Sequence, residues 1–148
     1  RDAGTIEFRG KFTGDEGIGF FDFTPNDSFR SMLTQKGYKE VNDNLLFHCT
    51  ITDINKGVLD YLDRKNLEPQ NTKELKRIAI HGLNQEYLTN TVDRLNKMGY
   101  NSFDLDELVD LKIHNVTPPY IDELRSLGLK NISLKEAKQA KIHNVSAA

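Results

Sequence analysis

The hydrophobic positions of this chain follow two periods. Between residues 5 and 24, Ile6, Phe8 and Phe12 alternate with Glu7, Arg9 and Lys11, residues 13–17 are turn formers, and 18–24 is rich in Phe. Alternation with period two marks a strand with one covered face, so this segment predicts a β-hairpin over 5–24. Pairing Phe8 with Phe21 and Ile6 with Phe23 gathers Ile6, Phe8, Phe12, Phe21 and Phe23 on one face. The same register sets Gly10 opposite Gly19 and turns Phe20 to the other side.

From Asn26 onward the spacing turns helical and the chain repeats itself. Gly37-Tyr38, Asn66-Leu67, Gly99-Tyr100 and Gly128-Leu129 follow one another at 29, 33 and 29 residues. Ile51-Thr52, Ile80-His81, Ile113-His114 and Ile142-His143 do the same. Asn26, Asn55, Asn84 and Thr117 hold equivalent positions, and each side chain can accept from the free amides of a helix start. Three residues on stand Phe29, Val58, Tyr87 and Tyr120, opening an apolar stripe that Leu62, Leu95 and Leu124 continue. Gly, or Asn66, then stops the helix, since both tolerate the left-handed conformation.

Five residues past each stop comes a second cap, Asn42, Asn71, Asp104 or Ser133. Glu74, Glu107 and Glu136 complete a capping-box pattern in three of the four repeats. Second helices are expected through 45–51, 75–80, 108–113 and 137–142, with Lys112 and Lys141 in last turns, where the helix dipole favours cations. Pro118-Pro119, directly after the Thr117 cap, reads as a helix start. The fold expected is mainly α, an array of four two-helix repeats of about 29 residues at 26–54, 55–83, 84–116 and 117–145, behind an N-terminal β-hairpin.

The third repeat is longer by four residues between Asn84 and Gly99. Four residues are about one helical turn, so the insertion lengthens a helix and keeps its apolar face in register. Ser146 reads as one more cap, making 146–148 the start of a truncated repeat or a capping tail.

Charge narrows the partner classes. The chain carries 20 Lys and Arg against 22 Asp and Glu, divided 3 to 5 up to Pro25 and 17 to 17 after it. No basic domain hides in the average, and nucleic-acid binding, which needs a basic patch, is not expected. No apolar run reaches the roughly 18 residues of a membrane span. The single Cys49, among Leu45, Leu46, Phe47 and Ile51, reads as a buried thiol without a disulfide partner.

Catalytic chemistry finds no foothold. The sequence contains no metalloprotease helix motif, P-loop, nucleophile elbow or paired Cys motif. Asp104, Asp106, Glu107 and Asp110 are explained by capping and the helix dipole. His81, His114 and His143 recur at one repeat position, with Thr52 there in the first repeat. Packed helices lie about 8–10 Å apart, so three successive repeats spread these rings too far for one zinc ion at about 2.0–2.1 Å. They are expected to be structural, bonding backbone carbonyls at helix ends. His48, outside this equivalence, reads as a helix-surface residue. No metal and no cofactor is called for.

The phrase from Leu111 through Lys112, Ile113, His114, Asn115, Val116, Thr117, Pro118, Pro119 and Tyr120 to Ile121, with Gly99-Tyr100 and Asp106-Glu107-Leu108, resembles repeats of one bacterial family. These are the repeats appended to membrane-anchored zinc peptidases of the antirepressor type, related to β-lactam sensors. Residues 19–26 look like the segment that precedes those repeats. The resemblance implies a periplasmic or secreted setting in a bacterium. It does not imply peptidase activity, because the zinc motif of that family has no counterpart here.

The function expected is a non-catalytic protein-interaction or sensing module. The contrasting expectation is a small-ligand-binding or hydrolytic enzyme with a cleft between hairpin and helices. An isolated hairpin is marginal in water, so its Phe face is expected to dock on the first repeat or pair with more strands. Its edges then remain open to a partner strand or a second copy, with Phe20 as a contact and Arg9 and Lys11 restraining uncontrolled pairing. The alternative is a hairpin that only caps the open end of the array.

Overall fold

The computed structural model describes residues 1–145, and the cap expected at Ser146 and the unit over 146–148 lie outside them. Strands β1 (Gly4–Thr13) and β2 (Glu16–Pro25) pair antiparallel, with Ile6 opposite Phe23, Phe8 opposite Phe21 and Gly10 opposite Gly19. The turn is tighter than expected, with only Gly14 and Asp15 between the strands. Gly14 permits this with φ of 62°, as at the first central position of a II′ turn. A Cβ at Gly10 or Gly19 would lie 2.3 Å from a carbonyl oxygen of the opposite strand, so this glycine pair lets the strands close.

Eight helices follow among the described residues: α1 (Asp27–Gln35), α2 (Asp43–Thr52), α3 (Lys56–Arg64), α4 (Thr72–His81), α5 (Gln85–Lys97), α6 (Leu105–Ile113), α7 (Pro118–Ser126) and α8 (Leu134–Ile142). Each starts at an expected cap. Asn26, Asn42, Asn55, Asn71, Asn84, Asp104, Thr117 and Ser133 all accept a backbone N–H from the first helical turn. Reciprocal capping boxes form at Asp104/Glu107 and Ser133/Glu136. The third departs from the pattern, because the Glu74 carboxylate accepts from Gln70 N–H and Asn71 Nδ2.

The helix ends share one device. The backbone turns left-handed at Gly37, Asp53, Asn66, Gly82, Gly99, Asn115, Gly128 and Asn144. The next N–H then reaches a carbonyl five residues back, as in Tyr38 to Leu33, Ile54 to Cys49 and Val116 to Leu111. This is the Schellman closure, and its hydrophobic partner is the residue just past the turn. In the first three repeats that residue is buried or half-buried. In the fourth, Leu129 and Val145 stay 46% and 41% exposed.

The inserted four residues lie in α5, which has 13 residues where α1, α3 and α7 have 9. Leu88, Val92 and Leu95 keep its buried face continuous. The helices form two rows, α2 on α4, α4 on α6 and α6 on α8 in one, α3 on α5 and α5 on α7 in the other. Leu33, Leu46, Leu62, Leu75, Leu108 and Ile121 are fully enclosed between them. Polar links join successive repeats, among them Tyr38 Oη donating to Pro69 O at 2.9 Å, Lys65 with Asp93 at 2.8 Å and Lys138 with Asp110 at 2.6 Å.

Candidate interaction surface

The hairpin is attached to the array at its base. Phe47 of α2 stacks on Phe21 with centroids 5.3 Å apart and meets Phe23 edge-on at 5.3 Å. The ring of His48 lies edge-on to Phe47, centroids 6.1 Å apart. In the second and fourth repeats the position of Phe47 is occupied by Lys76 and Lys138. The third repeat has the buried Val109 there, so the ring that receives the strands stands where two of the other three repeats have a lysine.

The residues before the hairpin add polar ties. The Arg1 guanidinium donates to the carbonyls of Thr50 and Ile51, the orphan acceptors at the end of α2. The Asp2 carboxylate accepts from Lys56 N–H at 3.1 Å, at the start of α3. Asn26 N–H donates to Ala3 O at 3.0 Å, closing the far end of β2.

Beyond this base the hairpin projects uncovered. Docking of the Phe face on the first repeat, one of the two outcomes expected from the sequence, is carried by Phe23 and a half-exposed Phe21, while Phe8 and Phe12 remain 68% and 70% exposed. The reason is length. Each strand has ten residues, as does α2, but a strand rises about 3.3 Å per residue and a helix only 1.5 Å. On the opposite face Phe20 and Ile18 are 85% and 89% exposed. Arg9 stands across from Phe20 and Lys11 across from Ile18. Arg9 is also paired with Asp22 of β2. The structure thus brings Arg9, Lys11 and Phe20 onto one face of one arm and adds Ile18, which alternation alone did not single out.

The repeat histidines sit at helix ends, His81 closing α4 and His114 and His143 occupying the C-cap positions of α6 and α8. The expected imidazole bonds to carbonyls are absent among the described residues. Backbone amides serve those carbonyls instead, for example His114 N–H to Asp110 O at 3.0 Å. No group of three or more His, Cys, Asp or Glu among the described residues is placed to hold a metal ion. Cys49 is enclosed in the core, and burial pushes its thiol up to about 12.

Lys112 and Lys141 have a further use. Their ammonium groups lie 4.4 and 4.3 Å from the ring centroids of Tyr87 and Tyr120, within cation–π range. A groove of about 670 Å³ opens between α5 and the start of α7, lined by Glu86, Arg94, Lys112 and Asn115 among others. It lies away from the hairpin. Ile51, Ile80, Ile113 and Ile142 form a second exposed set, each a little under half exposed at the same repeat position.

No protein-family model, curated protein or solved structure matches this chain.

No helix among the described residues is long and apolar enough to cross a membrane.

Proposed function

We propose that this chain is a non-catalytic protein-interaction or sensing module in which the helical repeats are the scaffold and the hairpin is the docking arm. The observation that carries the reading is the arm itself, with Phe8, Phe12, Ile18 and Phe20 exposed. Large apolar side chains left exposed on both faces of a projecting hairpin mark a site of association. Among the described residues the sheet has two strands and neither outer edge is paired, so a partner strand can add to it through backbone hydrogen bonds. The periplasmic or secreted setting rests on the resemblance of the repeats and the 19–26 segment to the peptidase-associated region.

The test is capture of partners from a bacterial envelope fraction by the wild-type chain and by a Phe20→Ser, Arg9→Pro variant. The reading expects the variant to lose the partners while its helical content and melting midpoint stay near wild type. A variant that retains every partner removes the arm from the account.

A further inference from the structure

We infer that the arm takes a second copy of this chain, joined through the β2 edges into a four-stranded antiparallel sheet ordered β1-β2-β2-β1. This inference rests on the reading of the hairpin as a docking arm and names its occupant.

Stability supplies the first argument. A two-stranded hairpin is marginal in water, and three or more strands, or packing on a helix, make it persist. Packing on α2 covers only the base. The outer part, from Phe12 through the turn to Phe20, has no such cover, and added strands give it the backbone pairing that two strands lack.

The two edges differ in charge. β1 carries Glu7, Arg9 and Lys11, and charged side chains are a common guard against edge pairing. β2 from Gly17 to Phe21 has no charge at all. The open edge is therefore β2.

Register supplies the third argument. A two-fold pairing of β2 with itself places residues opposite one another about a central position, with side chains of opposed residues on the same face. Centred on Gly19, it sets Ile18 against Phe20 of the second copy and Gly17 against Phe21, each twice. Centred on Phe20, it would set Ile18 against Asp22; centred on Ile18, it would set Phe20 against Glu16. The Phe20 and Ile18 registers also oppose their central residue to itself, but of these three only the Gly19 register sets no apolar side chain against a charged one between Glu16 and Asp22. It brings Glu16 opposite Asp22 of the second copy, and Asp22 is already neutralised by Arg9 of its own hairpin. A lipid surface is a poorer occupant, since tip-first entry would carry Asp15 and Glu16 into it.

The experiment measures mass by light scattering over a concentration series, for the wild-type chain and for Ile18→Lys, Phe20→Lys. The wild type is expected at twice 16.9 kDa and the variant at 16.9 kDa, with unchanged helical content. Register is read by oxidising a mixture of single variants Ile18→Cys and Phe20→Cys. The mixture is expected to give a covalent dimer and each variant alone to give little. A monomeric wild type, a dimer that survives both lysines, or cross-linking without regard to position overturns the second copy. If the wild type is monomeric yet the lysine variant loses its envelope partners, the docking arm stands and only its occupant changes. If those partners are kept as well, both readings fall.

Discussion

Phe47 is the residue on which the attachment of the arm turns. It touches Phe21 and Phe23 from a helix position that the second and fourth repeats give to lysine. Phe47→Lys should release the base of the hairpin, and aromatic pairs of this kind each contribute about 0.5–1.5 kcal/mol beyond area burial. The expected outcome is faster tryptic cleavage after Arg9 and Lys11 with undiminished helical circular dichroism; unchanged cleavage would refute it. The histidines are the opposite case. With no imidazole hydrogen bond among the described residues, His114→Gln should shift stability by less than about 0.5 kcal/mol in urea titration. A third expectation follows from the enclosed acids. Burial raises Cys49 from 9.0 to about 12, and Tyr38 and Tyr87 from 10.0 to about 12. Between those values the folded protein binds more protons than the unfolded chain, so stability is full below pH 9 and falls toward pH 12. A urea midpoint that stays level from pH 9 to pH 12 would contradict the burial of these groups.

At the scale of the elements, each repeat relies on the next to cover the residue that follows a Schellman turn. Leu67 is buried at that position and Leu129 is exposed at it. Leu67→Ala should therefore cost about 2–5 kcal/mol and Leu129→Ala less than about 1 kcal/mol, measured by urea unfolding. The insertion in α5 gives a second comparison. Deleting residues 89–92 removes about one turn and leaves Leu88 and Leu95 on one face, whereas deleting 90 and 91 rotates Leu95 by about 200° toward solvent. The two-residue deletion should be the more destabilised of the pair, and equal melting midpoints would contradict the register. These features were legible in the sequence because caps, left-handed stops and a 29-residue period act within a few residues of themselves. The tight turn at Gly14 and the left-handed Asp53, Gly82, Asn115 and Asn144 are local too, but were hidden behind broader turn and histidine signals. Phe47 was not legible as a docking residue, because it meets strands more than twenty residues away, and its one sequence signal is the contrast with Lys76 and Lys138. The extent of docking escaped for a related reason: alternation tells which face of a strand is apolar and not how far a neighbouring helix reaches along it.

The whole molecule joins two unlike parts, an array whose polar groups and apolar faces are largely satisfied within itself and an arm whose apolar side chains are not. On the proposed reading, association belongs to the arm, and the groove beside α5 and the row of Ile51, Ile80, Ile113 and Ile142 are ordinary surface. Amide hydrogen exchange, compared between dilute free protein and the protein in its associated state, resolves the two parts most directly. The account predicts new protection at residues 8–21, strongest along β2, and unchanged exchange through α3 to α8. Protection that instead appears along the isoleucine row or the α5 groove, with the hairpin exchanging as it does alone, would contradict it and reduce the hairpin to a cap on the end of the array.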